Sequence, residues 1–375
     1  MNIAFLTTLN PYDVNSWSGT TFHVFNALKK RHNVKVIGLN MLSQTTYYSQ
    51  RNFTDKSSIN KYSPVLGTLC KEQISLFFNC DLIFFGDLYL APFLEVNIPI
   101  VHFSDVTYHL FKDYLGRKDG EEYVTNMETI ERGLLLDIYA TIIYSSEWTK
   151  QNTVDYYNVN PNKIHVVELG ANIPTPEDYT IEIESNRCNL VFIGKNWLKK
   201  GGNKVLDAYH KLKDEGFPCT LTIIGSVPDT LQEDDDLTII PFLDKSQPEH
   251  LNKLCNILKE AHFLVLPTEY DAFGIVFCEA SAYAVPSIAT NICGVSQPIR
   301  EGKNGYLLSP DATGADYAEK IKTIFEDKEN YYKLRASSRH EFETRLNWEI
   351  WEEKVNKIFE ETIQKYKRRS SVSKC

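Results

Sequence analysis

The sequence predicts an α/β protein built as two doubly wound domains, on three observations. Short apolar runs alternate with helical patterns along nearly all of the 375 residues, the arrangement expected of helices covering a largely parallel sheet. A chain of this length exceeds the usual size of a single core. One stretch, "ANIPTPEDYTIEIESN" at 171–186, breaks the rhythm with prolines and acids and reads as a linker.

Ahead of that stretch the strand candidates are "NIAFLT" (2–7), "VKVIGL" (34–39), "DLIFF" (81–85), "IPIVHF" (98–103), "TIIYS" (141–145) and "IHVV" (164–167). Beyond it they are "NLVFI" (189–193), "CTLTII" (219–224), "LTII" (237–240), "HFLVL" (262–266), "PSIA" (286–289) and "GYLL" (305–308). Helices fill the gaps. The expected domains are 1–173 and 187–346, followed by a helix at 347–369. That helix begins at Asn347 and carries Trp348, Trp351, Val355, Ile358, Thr362 and Tyr366 at three- and four-residue steps. This is an amphipathic face that packs back onto the first domain.

Composition narrows the function. Hydrophobic residues make up 43% and charged residues 24%, the values of a soluble globular protein. A formal net charge of -9 argues against general nucleic-acid binding, which needs a basic surface, while leaving room for a local basic cleft. The N-terminus "MNIAFLTTLN" has no basic segment followed by an apolar core, so a cytoplasmic location is expected. The cysteines at 70, 80, 188, 219, 255, 278, 293 and 375 form neither CxxC pairs nor a zinc spacing, and are read as reduced thiols.

Two doubly wound domains present the carboxyl ends of their strands to a shared cleft, where open α/β sheets bind ligands. No GxGxxG occurs, and "FIGKNW" lacks the Ser or Thr of a P-loop. Three other stretches carry chemistry. In "FIGKNWLKKGG" (192–202), Gly194, Lys195 and Lys199 or Lys200 precede a helical pattern; ammonium groups beside a helix N-terminus suit a diphosphate, and a solvated lysine cluster is the plainer alternative. In "PTEYDAFGIVFCEASAYA" (267–284), Gly274 opens a helix, so the amides of Ala272, Phe273, Gly274 and Ile275 form a second anion site. Glu279, inside that helix among apolar neighbours, is suited to accept hydrogen bonds from ribose hydroxyls. Asp271 is an N-cap on this reading, which by itself needs no ligand. Finally, Gly19 in "NPYDVNSWSGTTFHVFNALKK" (10–30) lets backbone approach a ligand after the first strand.

Taken together these stretches resemble the family 4 retaining glycosyltransferases of the GT-B fold, whose two Rossmann-like domains face a central cleft. "DAFGIVFCE" is similar to the family signature of a carboxylate, seven residues and a Glu, with Asp271 where the first acid is usually Glu. Lys195 stands where the family usually has arginine and Lys200 at the family lysine. "SWSGTTFHVFNAL", "HFSDVTYHLF", "YSSEWTKQNTV" and "ELGANI" resemble smaller blocks of the first domain and linker.

The resemblance implies a nucleotide-sugar donor, UDP- or GDP-linked, held by the C-terminal domain, and a glycan or lipid-linked saccharide acceptor held by the N-terminal one. It implies transfer with retained configuration, no enzyme nucleophile, and a leaving diphosphate stabilised by Lys195, Lys200 and the amides near Phe273 and Gly274 without metal. Glu279 then holds ribose, Asp271 the donor sugar, and the loop "PFLDKS" around Leu243 the base. His102, expected at a strand end facing the cleft, and nearby Asp105 are the catalytic candidates of the first domain. "EDDD" (233–236) reads as a solvated acidic turn rather than a metal motif, and "KYKRRSSVSK" at the C-terminus as a complement to its helix dipole or a contact with the anionic inner membrane surface. The expected role is cell-surface polysaccharide synthesis. The alternatives are a GT-B sugar-nucleotide epimerase and a non-catalytic, glycosyltransferase-like binding subunit.

Overall fold

A computed structural model describes residues 1–7, 9–38, 70–77, 79–86, 94, 96–115, 121–137, 140–177, 179–183 and 185–372. The chain divides into two compact units, Met1–Val167 with Glu352–Cys375, and Glu168–Trp351.

The first unit runs β1 (Asn2–Leu6), α1 (Thr20–Lys29), β2 (Asn33–Ile37), β3 (Leu82–Phe85), β4 (Ile100–Ser104), α2 (Tyr108–Leu115), α3 (Glu121–Leu136), β5 (Ala140–Tyr144), α4 (Glu147–Tyr157) and β6 (Ile164–Val166). Its six strands lie in the order β2-β1-β3-β4-β5-β6, every neighbouring pair parallel. Strands β3 and β5 are buried along their whole length, because a parallel strand covered on both faces must be apolar throughout. Edge strand β2 instead alternates exposed and half-buried residues. One buried acid anchors the helices: Glu131 of α3 accepts from the Tyr108 N–H at 2.9 Å and from the Tyr157 hydroxyl. Burial pushes its carboxyl up to about 7.

The second unit runs β7 (Cys188–Gly194), α5 (Gly202–Asp214), β8 (Cys219–Gly225), β9 (Leu237–Ile240), α6 (Pro248–Glu260), β10 (Phe263–Leu266), α7 (Ile275–Ala282), β11 (Ser287–Thr290), β12 (Gly305–Leu308), α8 (Gly314–Glu326) and α9 (Lys328–Thr344). Its sheet has the order β12-β11-β10-β7-β8-β9, again all parallel. The segment read as a linker is part of this unit. Arg335, fully buried, donates to the carbonyls of Ile181 (2.8 Å), Thr180 (2.9 Å) and Ala261 (3.0 Å), so its charge is spread over backbone dipoles rather than a carboxylate.

The last helix, α10 (Trp348–Val372), starts where Asn347 Oδ1 accepts from the N–H groups of Glu349 (3.0 Å) and Ile350 (2.9 Å). From Glu352 onward it belongs to the first unit. Phe359 packs on Phe84 with ring centroids 5.6 Å apart, and Thr362 donates to Thr141 at 2.9 Å. Two of its residues depart from the amphipathic reading. Phe359 is buried beside the predicted face, and Glu352 is buried against Arg31 at 2.7 Å. No helix among the described residues is long and apolar enough to cross a membrane.

Candidate functional site

Two loops of the second unit meet at the carboxyl ends of β7 and β10. The first, 195–201, leaves Gly194 and folds back on itself: Lys200 N–H donates to Asn196 O at 2.9 Å and Gly202 N–H to Trp197 O at 2.8 Å. The Trp197 indole N–H is held by Asn203 Oδ1 at 2.6 Å. Gly201 adopts φ +76, and a Cβ there would lie 1.9 Å from Pro267 O, so only glycine lets this loop seat on the exit of β10. Glu269 N–H and Thr268 Oγ1 then donate to Lys199 O at 2.9 and 3.2 Å, tying the first loop to the second, 267–274.

That seating brings two of the sequence's constellations together. Lys200 Nζ lies 2.5 Å from Asp271 Oδ2, with both side chains about one-fifth exposed. The lysine stem runs along Gly194, where a Cβ would come within 3.0 Å of it. Asp271 does not cap α7. The cap position belongs to Gly274 in the left-handed region (φ +86), without a side-chain cap bond. The Asp271 carbonyl accepts from Gly294 N–H at 3.1 Å, so the residue is fixed by its backbone and its carboxylate is turned to the lysine. At Gly274 a Cβ would lie 2.4 Å from the Phe277 ring, which leaves the backbone at the mouth of α7 bare.

At the other end of the stretch, Glu279 is 2% exposed and its carboxylate forms an ion pair with Lys245. A nearly dry carboxylate needs such a partner. Lys245 belongs to the loop expected to hold the base, where Leu243 is buried and Phe242 half-exposed. Lys195, expected beside Lys200, is exposed and lies over the Phe242 ring at 5.2 Å. The site is therefore two ammonium–carboxylate pairs, Lys200–Asp271 ahead of the N-terminus of α7 and Lys245–Glu279 within the helix, with Ala272, Phe273, Gly274 and Ile275 between the two acids in sequence. Helix-start amides and nearby cations are the ordinary equipment for an anionic ligand.

The "EDDD" turn holds itself together. Glu233 accepts from Ile239 N–H at 2.7 Å and Asp234 from Asp236 and Leu237 N–H at 2.7 and 2.8 Å, while Asp236 pairs with Lys213 and Arg187. Among the described residues no three His, Cys, Asp or Glu side chains come together as metal ligands.

Gly19, His102 and Asp105 belong to the first unit. Gly19, at φ +96, caps α1 after a left-handed turn through Trp17 and Ser18, and Trp17 packs on Phe103 of β4 at 5.8 Å. His102 differs from expectation. It is the third residue of β4, 1% exposed, with its ring against Phe85 (5.2 Å) and Tyr144 (6.2 Å), because β4 is an inner strand covered on both faces. Burial pushes its imidazole down to about 4, so the ring is neutral at pH 7. Asp105 follows β4, and its carbonyl accepts from Thr149 Oγ1 at 2.7 Å.

A pair of six-stranded parallel sheets in two units is the architecture of GT-B proteins, and comparison with known proteins agrees on the fold. Residues 180–341 match the family model of glycosyl transferases group 1. Among curated relatives, alpha-maltose-1-phosphate synthase of Mycolicibacterium smegmatis is 23% identical over 64% of this chain and 66% of its own length. The capsular polysaccharide biosynthesis glycosyltransferase CapM of Staphylococcus aureus is 24% identical over 56% of this chain and 59% of its own. The matched stretches thus span about two-thirds of these relatives or less. Solved structures align more fully: a glycosyltransferase from Rickettsia africae has a TM-score of 0.67 at 17% identity, covering 96% of this chain and 98% of that one. Anabaena HepE, in complex with UDP and glucose, has a TM-score of 0.65 at 14% identity, covering 96% and 99%. The chain has the GT-B fold, and its residues 180–341 are similar to the group 1 glycosyl transferases.

Proposed function

We propose that this protein transfers a sugar from a UDP- or GDP-linked donor to a glycan or lipid-linked saccharide acceptor, with retained anomeric configuration, in cell-surface polysaccharide synthesis on the cytoplasmic side of the membrane. What carries the reading is the Lys200–Asp271 pair at 2.5 Å beside the bare helix start at Gly274. A diphosphate beside Lys200 meets both a cation and α7 amides, groups already aimed where negative charge develops as the nucleotide departs. That assignment makes the reaction independent of a divalent metal. Asp271, one bond from Lys200 and turned out of the helix, is suited to the donor sugar, while Glu279, with one oxygen on Lys245, has the other to accept from ribose. On this reading Lys195 and the Leu243 loop border the base, and Gly19 and Asp105 serve the acceptor side, while the buried His102 is part of the core.

The test is a panel of UDP- and GDP-sugars incubated with lipid-linked saccharides, with products followed by NMR. Sugar transfer with the donor's anomeric configuration is expected. Inverted product contradicts retention; free nucleotide and an altered sugar formed without acceptor point to epimerase chemistry instead.

A further inference from the structure

A second concentration of donor groups lies in the first unit, at the opposite edge of its parallel sheet from Asp105. Here the amino ends of β5 and β6 face α10 across a cavity of about 190 Å³. Lys163, Lys365 and Arg369 line it together with Tyr366, Thr141 and Thr362. Among the described residues no carboxylate contributes to the lining, in a chain whose net charge is -9.

The cations are held there by the fold. Lys163 Nζ donates to the carbonyls of Leu135 (3.1 Å) and Asp137 at the end of α3. Two of its three donors are thereby fixed and the ammonium is pinned at the cavity wall. Lys365 and Arg369 are one turn apart on α10 and share a face. The helix is itself fastened at this level, since Thr362 bonds Thr141 at 2.9 Å. Lys163 is half-buried, and its ammonium is pushed down first by burial and also by the Arg369 charge, against the opposing pull of Asp137. Glu361 touches Lys365 only loosely at 3.8 Å. Like charges gathered around one cavity repel, and an anion inside it turns that repulsion into attraction.

We propose that this cavity binds a phosphate group, as a monoester or diester, at a site separate from the nucleotide site of the second unit. Three cations around one cavity suit an oxyanion of one to two charges. The group reaches the cavity either on a lipid headgroup or on a soluble phosphate ester. The chemistry of the site is the same for both.

The experiment uses the full chain and the double variant Lys365→Ala/Arg369→Ala, whose side chains are exposed on α10. Two probes are measured: inorganic phosphate by calorimetry, and co-sedimentation with phosphatidylcholine vesicles with or without phosphatidic acid. A basic residue near such a charge is worth about fivefold in affinity, so the double variant should bind about 25-fold more weakly. Its circular dichroism melt and UDP affinity should match wild type. Binding of phosphate alone identifies a soluble ligand, and binding of the phosphatidic acid vesicles identifies a headgroup; either one, lost in the variant, supports the site. Wild-type protein that binds neither probe, or a variant that binds as well as wild type, overturns it.

Discussion

Replacing Lys245 by methionine removes the ammonium that faces Glu279 while keeping most of the side-chain volume. The Glu279 side chain is 3% exposed and that of Lys245 17%, so the carboxylate is left nearly dry and without its partner. Breaking a buried pair from one side costs about 3–5 kcal/mol. The partly open position of Lys245, 17% exposed, brings the figure to the lower end because water can replace its ammonium. A loss of about 3 kcal/mol in a unit of this size lowers its melting temperature by about 6–12 °C. Differential scanning calorimetry reads this directly. UDP should restore more stability to the variant than to wild type, because ribose hydroxyls then satisfy the orphaned carboxylate. Adding Glu279→Gln to the variant should recover much of the loss, as expected of coupled neighbours. A Lys245→Met protein that melts within a degree of wild type would show that the pair is not buried in solution, and the reasoning fails.

Three further outcomes follow from the same geometry. Asp271→Asn frees Lys200 from its 2.5 Å ion pair, so calorimetry should give UDP affinity equal to or above wild type while turnover drops at least tenfold, an effect of about 1.4 kcal/mol or more on sugar alignment; undiminished turnover removes Asp271 from the reaction. EDTA should leave the transfer rate within about twofold, roughly 0.4 kcal/mol, and loss restored by magnesium or manganese contradicts metal independence. His102, pushed down to about 4 from an ordinary 6.5, refuses a proton that the unfolded chain accepts, so stability falls as pH drops from 6.5 towards 4 and is unaffected above 6.5. The melting temperature of His102→Phe should therefore decline less than wild type between pH 7 and 5, and parallel curves refute a buried neutral imidazole.

The strands of the described residues were legible because parallel strands covered on both faces are nearly continuous apolar runs bounded by turns, as in β3 and β5. The stretch 271–279 was legible because a glycine and two acids in an otherwise apolar helix start ask for a partner. The partners themselves were not. Lys245 is 34 residues from Glu279 and reads locally as a surface charge after Asp244. The replacement of Asp271 by Gly274 at the cap depends on a left-handed backbone turn, and Asp271 looks like an ordinary cap when only residue preference is weighed. His102 carried a usable signal, since it stands inside "IPIVHF" rather than after it; an inner strand then buries it. Glu131 gave none, because Tyr108 and Tyr157, which satisfy it, lie 23 and 26 residues away. The basic cavity is likewise assembled from segments some 200 residues apart in a chain of 375.

The central claim is that Lys200 and the mouth of α7 hold the diphosphate of a nucleotide. Calorimetric titration of UDP and GDP into wild type and Lys200→Ala tests it most directly. A charge-assisted contact to phosphate is worth about 1.5–3 kcal/mol, so the variant should bind its nucleotide about 10- to 150-fold more weakly, while uridine or guanosine alone, lacking the phosphates, should bind both proteins equally. Equal UDP and GDP affinities for the two proteins would contradict the account.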